Sequence, residues 1–158
     1  MTDPQLNHLR GDGSAHMVDV SAKAVTVRSA TAAGRVLLSP VAVSALRGGA
    51  VPKGDALSVA RIAGIQAAKR TPDLIPLAHP IGVHAVEVDL VVVDEGVDLQ
   101  ATVRTADRTG VEMEALTAVA VAALALIDMV KAVDRHARIS DVRVTAKSGG
   151  RSGDWVEP

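Results

Sequence analysis

"VHAVEVDLVVVDEGVDLQATVR", residues 83–104, alternates apolar and polar positions on both sides of the turn "DEG". Successive side chains of an extended strand point to opposite faces. Val86, Val88, Leu90 and Val92 therefore share one face, as do Val97, Leu99, Ala101 and Val103. The two runs predict an antiparallel hairpin with one buried side. Its continuation, "EMEALTAVAVAALALIDMVKAV" (residues 112–133), abandons the two-residue period. At about 100° of rotation per residue, Glu114, Thr117, Asp128 and Lys131 fall within an arc of roughly 100° on a long helix. Two explanations stay open for this stripe: the solvated face of an amphipathic helix with an ordinary i,i+3 ion pair, or the wall of a pocket. Val121 and Leu124 share the arc, and that mixture of apolar and charged side chains fits a covered wall better than open water.

Upstream of the hairpin, "AVTVRSATAAGRVLL" puts Val25 and Val27 on one face of a strand. "SPVAVSALRGG" follows as a short helix with Ser39 as N-cap, Pro40 at its first position and a glycine stop. "KGDALSVARIAGIQAAKR" predicts a second helix capped by Asp55, with Ala60, Ala63, Gly64, Ala67 and Ala68 small enough for close packing. The proline-bounded "TPDLIPLAHPIG" is a loop, and "SDVRVTAK" supplies a last strand through Val142 and Val144. The order β-α-α-β-β-α-β predicts an α+β fold close to the ferredoxin-like split βαβ, an antiparallel sheet with helices on one face. Residues 1–15 read as a frayed polar tail and residues 16–158 as one domain, without linker or internal repeat.

Composition narrows the function. Among 158 residues, 48% are hydrophobic, yet there is no Phe, no Tyr and one Trp, so the core is built from Ala, Val, Leu and Ile. Aromatic platforms for single-stranded nucleic acid are missing, and a net charge of −1 gives no basic surface for duplex binding. A chain without Cys has neither disulfides nor thiolate metal sites and fits a reducing cytoplasm. The Ala-rich helix is the single long apolar run, and its small side chains and embedded Asp suit a packed core better than lipid.

Three further segments carry chemistry. In "LIPLAHPI" two prolines stiffen the backbone around His79, which suits either a general acid or base or a turn histidine capping a carbonyl. A metal reads third, because His79 and His84 lack the H-x3-H spacing and Cys is absent. "VPKGD" places Lys53 at a helix start, where backbone donors favour an anion. "KSGGRSGDW" sets Lys147 and Arg151 around a Gly-Gly that can wrap N–H groups about an oxyanion, although it lacks the Walker A spacing. Each lysine also reads as an ordinary solvated side chain.

Together, "HMVDVSAKAVTVRSATAAGRV", "PKGDALSVARIAGIQAAKRTPDLIPLAHPIGVHAVEVDL", "RTGVEMEALTAVAVAALALIDMVKAV" and "KSGGRSGDW" resemble the MoaC family of cyclic pyranopterin monophosphate synthases of molybdenum cofactor biosynthesis. The resemblance runs from about His16 to Trp155. It implies a cytoplasmic lyase that converts 3',8-cyclo-7,8-dihydro-GTP to cyclic pyranopterin monophosphate with loss of pyrophosphate. It also implies a homohexamer built as three dimers, with active sites at subunit interfaces. No resident cofactor or metal is implied beyond Mg²⁺ accompanying the substrate triphosphate, and no nucleic acid or membrane partner. By the match of motifs, Asp128 and Lys131 are the catalytic acid–base pair. Leu77, Ala78, His79, Met113 and Glu114 are substrate-binding positions, and Lys53 and Lys147 hold phosphates or assist catalysis.

The chain departs from the family at one site position. Ala78 stands where the family usually reads Cys in P-L-C-H-P, which removes a thiol from the substrate wall. That departure is the ground for an alternative from another class, a non-catalytic or weakly active paralogue that binds a pterin or nucleotide or serves only in assembly.

Overall fold

The computed structural model describes residues 9–158. Its elements run β1 (Thr26–Leu37), α1 (Pro40–Arg47), α2 (Ala56–Ala68), α3 (Thr71–Leu74), β2 (Val83–Val93), β3 (Gly96–Asp107), α4 (Glu112–Val130), β4 (Arg138–Ser148) and β5 (Trp155–Val156). This is the expected α+β, ferredoxin-like arrangement with two small additions. One is the single turn α3, started by Pro72 inside the segment read as a loop; the other is the two-residue β5, which pairs with the edge of β4. The sheet order is β2-β3-β1-β4-β5, every pair antiparallel. Of the N-terminal tail, residues 1–8 lie outside the described residues; beyond them Leu9 pairs with Ala15 across a turn.

The hairpin forms as its alternation dictates. Val88 and Leu90 of β2 and Val97, Leu99, Ala101 and Val103 of β3 are buried on the helix side of the sheet. Gly96 closes the turn at φ +149°, and a Cβ there would lie 1.9 Å from the Val36 carbonyl oxygen, so only glycine lets β3 approach β1 at this point. On β1 the buried positions are Ala30, Ala32 and Val36. Val27 belongs to the opposite face and is exposed, because the strand's inward register falls on its even-numbered, mostly small residues. That outer face is polar: Thr31 bonds Thr102 at 2.9 Å, Ser29 bonds Ser148 at 2.8 Å, and Arg35 pairs with Asp98.

Both predicted caps form, Ser39 accepting from the Ala42 N–H and Asp55 from the Ser58 N–H. Helix α4 lies over β1, β3 and β4, with α2 beside it and over β2. Small residues set their spacing, since a Cβ on Gly64 would sit 2.9 Å from the Ala118 carbonyl oxygen. By length and composition α4 could cross a membrane, but half of its apolar window is buried within the protein. Among the described residues Leu126, toward the C-terminal end of α4, is the largest side chain that is fully buried, as expected of a core without Phe or Tyr.

Candidate functional site

Five of the predicted binding residues converge. Leu77, Ala78 and His79 from the loop, and Met113 and Glu114 from the first turn of α4, line one cavity of about 340 Å³. The third wall is the segment before β1, through Val18, Val20 and Lys23. His79 is tied to that wall by a 2.6 Å hydrogen bond between its Nε2 and the Val18 carbonyl oxygen. A carbonyl only accepts, so Nε2 carries the proton in this bond. The carbonyl-capping and acid–base readings of His79 are thus compatible, because the cap selects the tautomer. His84 stands apart and accepts from the Ala106 N–H.

Glu114 is 3% exposed, and burial, reinforced by the negative charge of nearby Glu112, pushes its carboxyl above the usual range. A carboxyl so placed can accept N–H donors from a ligand or hold a proton. Among the described residues no side chain caps the start of α4, which leaves first-turn N–H groups beside the cavity. Lys147 reaches this rim, where its Nζ lies 3.2 Å from Glu112 Oε1 and 3.2 Å from Ser152 Oγ. In the following glycine-rich turn the Gly149 N–H donates to Asp154 Oδ1, so one of the predicted anion-wrapping groups is internally satisfied.

The remaining predicted residues form a second cluster at the far end of α4. Lys131 Nζ lies 2.6 Å from Asp128 Oδ1, and Lys53 Nζ lies 2.9 Å from Asp128 Oδ2. Lys53 occupies the turn before α2 rather than its first turn, since Asp55 takes the cap and the helix begins at Ala56. Hydrogen bonds and charge from Lys131, then Lys53, lower the Asp128 carboxyl to about 2. At neutral pH it is therefore an anion held between two ammonium groups.

A carboxyl lowered from 3.8 favours the folded arrangement above pH 3.8 and loses that contribution as pH falls through about 2. Titration of the Asp128 carboxyl carbon by NMR is expected to show a midpoint near 2; a midpoint at or above 3.8 would mean that the three-residue cluster does not hold in solution.

The polar stripe is real as a helix face, but its ends differ. Glu114 and Thr117 are buried, whereas Leu124 is 57% exposed and the Asp128 and Lys131 side chains are open. Fourteen residues at 1.5 Å rise separate Glu114 from Asp128 by about 21 Å. One chain does not bring the two clusters together. A wider depression of about 660 Å³ lies on the outer sheet face, but it contains none of the predicted residues, and its arginines are paired, Arg35 with Asp98 and Arg143 with Glu157.

Sequence reasoning missed two residues that line the cavity, Glu112 and Lys23. Lys23 precedes the first strand in a stretch without periodicity, so no pattern marked it.

Comparison with known proteins agrees along the chain. The MoaC family profile matches residues 17–150. A cyclic pyranopterin monophosphate synthase of Streptomyces coelicolor is 65% identical over 156 residues, 98% of this chain and 92% of that protein. The synthase of a Nocardioides species is 61% identical over 157 residues, covering 98% and 96%. Cyclic pyranopterin monophosphate synthase 2 of Mycobacterium tuberculosis H37Rv is 56% identical over 152 residues, covering 96% and 91%.

Proposed function

Because the chain belongs to the MoaC family, we propose that it is a cyclic pyranopterin monophosphate synthase of molybdenum cofactor biosynthesis, acting on 3',8-cyclo-7,8-dihydro-GTP and releasing pyrophosphate. The observation that carries this reading is the cavity in which Leu77, Ala78, His79, Met113 and Glu114 meet, residues far apart in sequence. Buried Glu114 suits the N–H-rich edge of a guanine-derived ring. Lys53, Lys131 and Lys147 supply cations for a triphosphate and, at Lys131, a proton donor or acceptor for ring opening and closure. We assign the reaction to the lyases and the enzyme to the cytoplasm. Mg²⁺ enters only with the substrate triphosphate. At Ala78 a methyl group faces the cavity in place of a thiol, which keeps packing and forgoes a weak hydrogen bond.

Incubation with the cyclised nucleotide tests this directly. Catalytic release of pyrophosphate with a pterin product is expected; nucleotide binding without turnover would establish the paralogue instead.

The two clusters lie at opposite ends of one helix, so a two-fold pairing of α4 with its copy would set the Asp128–Lys131 end of one subunit beside the Glu114 end of the next. Exposed Val59 and Ile62 on α2 and Met113 and Leu124 on α4 are apolar surface that a neighbouring subunit would cover. We therefore propose a homo-oligomer, a hexamer of three dimers, with shared sites. Light scattering at micromolar concentration is expected to give that mass, and a stable monomer would sink the shared-site reading.

A further inference from the structure

Lys23 lines the cavity together with the loop and the start of α4. Its backbone is fixed from both sides: its N–H donates to the Val20 carbonyl at 3.0 Å, and its own carbonyl accepts from Arg108 Nε at 3.1 Å. The preceding turn is closed by Asp19, which accepts from the Ser21 N–H at 2.8 Å. The ammonium therefore projects from a defined point.

It also has no hydrogen-bond or ion-pair partner among the described residues. The other lysines of the two clusters differ. Lys53 and Lys131 are both engaged by Asp128, and Lys147 by Glu112. Any anion that recruits one of those must compete with a carboxylate already in place. Lys23 can be recruited without such competition. Glu112 and Glu114, which also line the cavity, repel a polyanion, so of its lining side chains Lys23 is the one suited to receive a phosphate.

We propose that Lys23 is a substrate-binding residue that takes a phosphate oxygen of the nucleotide and so orients it, with the triphosphate toward the segment before β1 and the ring toward Glu114. The inference rests on the nucleotide-binding reading above and adds a residue and an orientation to it. A compact, hydrated ammonium suits a phosphate oxygen better than it suits a neutral ring edge.

The test is titration of GTP, which carries the same triphosphate, against the parent chain, Lys23→Ala and Lys23→Arg at low and high salt. One charge-assisted contact at an exposed site predicts that Lys23→Ala weakens GTP binding roughly tenfold at low salt. The gap should narrow at high salt as charges are screened, and Lys23→Arg should stay near the parent. A GTP affinity unchanged in Lys23→Ala, a loss that salt does not alter, or a parent that does not bind GTP each overturns the inference. Turnover of the cyclised nucleotide separates the two levels. There Lys23→Ala should raise KM with kcat little changed. An active parent with an unchanged KM in the variant refutes Lys23 alone. An inactive parent with the GTP pattern intact refutes the enzyme and leaves Lys23 as a phosphate-binding residue.

Discussion

Lys131→Ala is expected to lower turnover of the cyclised nucleotide by about 10²- to 10⁴-fold, the usual contribution of a general acid or base, while leaving fold and assembly intact. The stability part follows from exposure. The Lys131 and Asp128 side chains are 59% and 55% exposed, and an ion pair in that setting contributes little to folding. Asp128→Asn should also lower turnover strongly, by another route. It keeps the shape but removes the anion that two ammonium groups share, so Lys131 and Lys53 lose the group that fixes their positions. Steady-state kinetics with a parallel thermal melt checks both variants. Near-parental turnover in both would reduce the trio to a surface ion pair.

Leu126→Ala is expected to cost about 2–5 kcal/mol, the range for emptying a fully buried leucine site. The reason is specific to this core. Ala30, Ala32, Ala101, Ala118, Ala122 and Ala123 are buried in the same core, and such short side chains fill little of the space that a lost leucine leaves. For a domain of this size that loss lowers the melting temperature by roughly 5–15 °C. Val41→Ala is the contrast, since Val41 is 67% exposed on α1 and its truncation should stay within about 0.5 kcal/mol. Equal melting shifts in the two variants would show that the core is not centred on α4.

The sequence by itself determined the hairpin, the two capped helices and the long helix with its polar stripe. These depend on local periodicity and on hydrogen bonds between near neighbours, such as Ser39 with Ala42 and Asp55 with Ser58. The motifs likewise carried the family and the candidate site residues, though not their grouping. Only the tertiary structure decided that Leu77 to His79 meet Met113 and Glu114 in one cavity, and that Lys53 crosses to Asp128, 75 positions away. It also decided that Lys23 joins the cavity from a segment with no periodic pattern, and that the stripe is buried at one end and open at the other. Which side chains share a site depends on how the sheet order folds distant segments together and on what covers each end of a helix. Neither is encoded in the spacing of residues along the chain, because burial is a property of the packed layers and not of any single element.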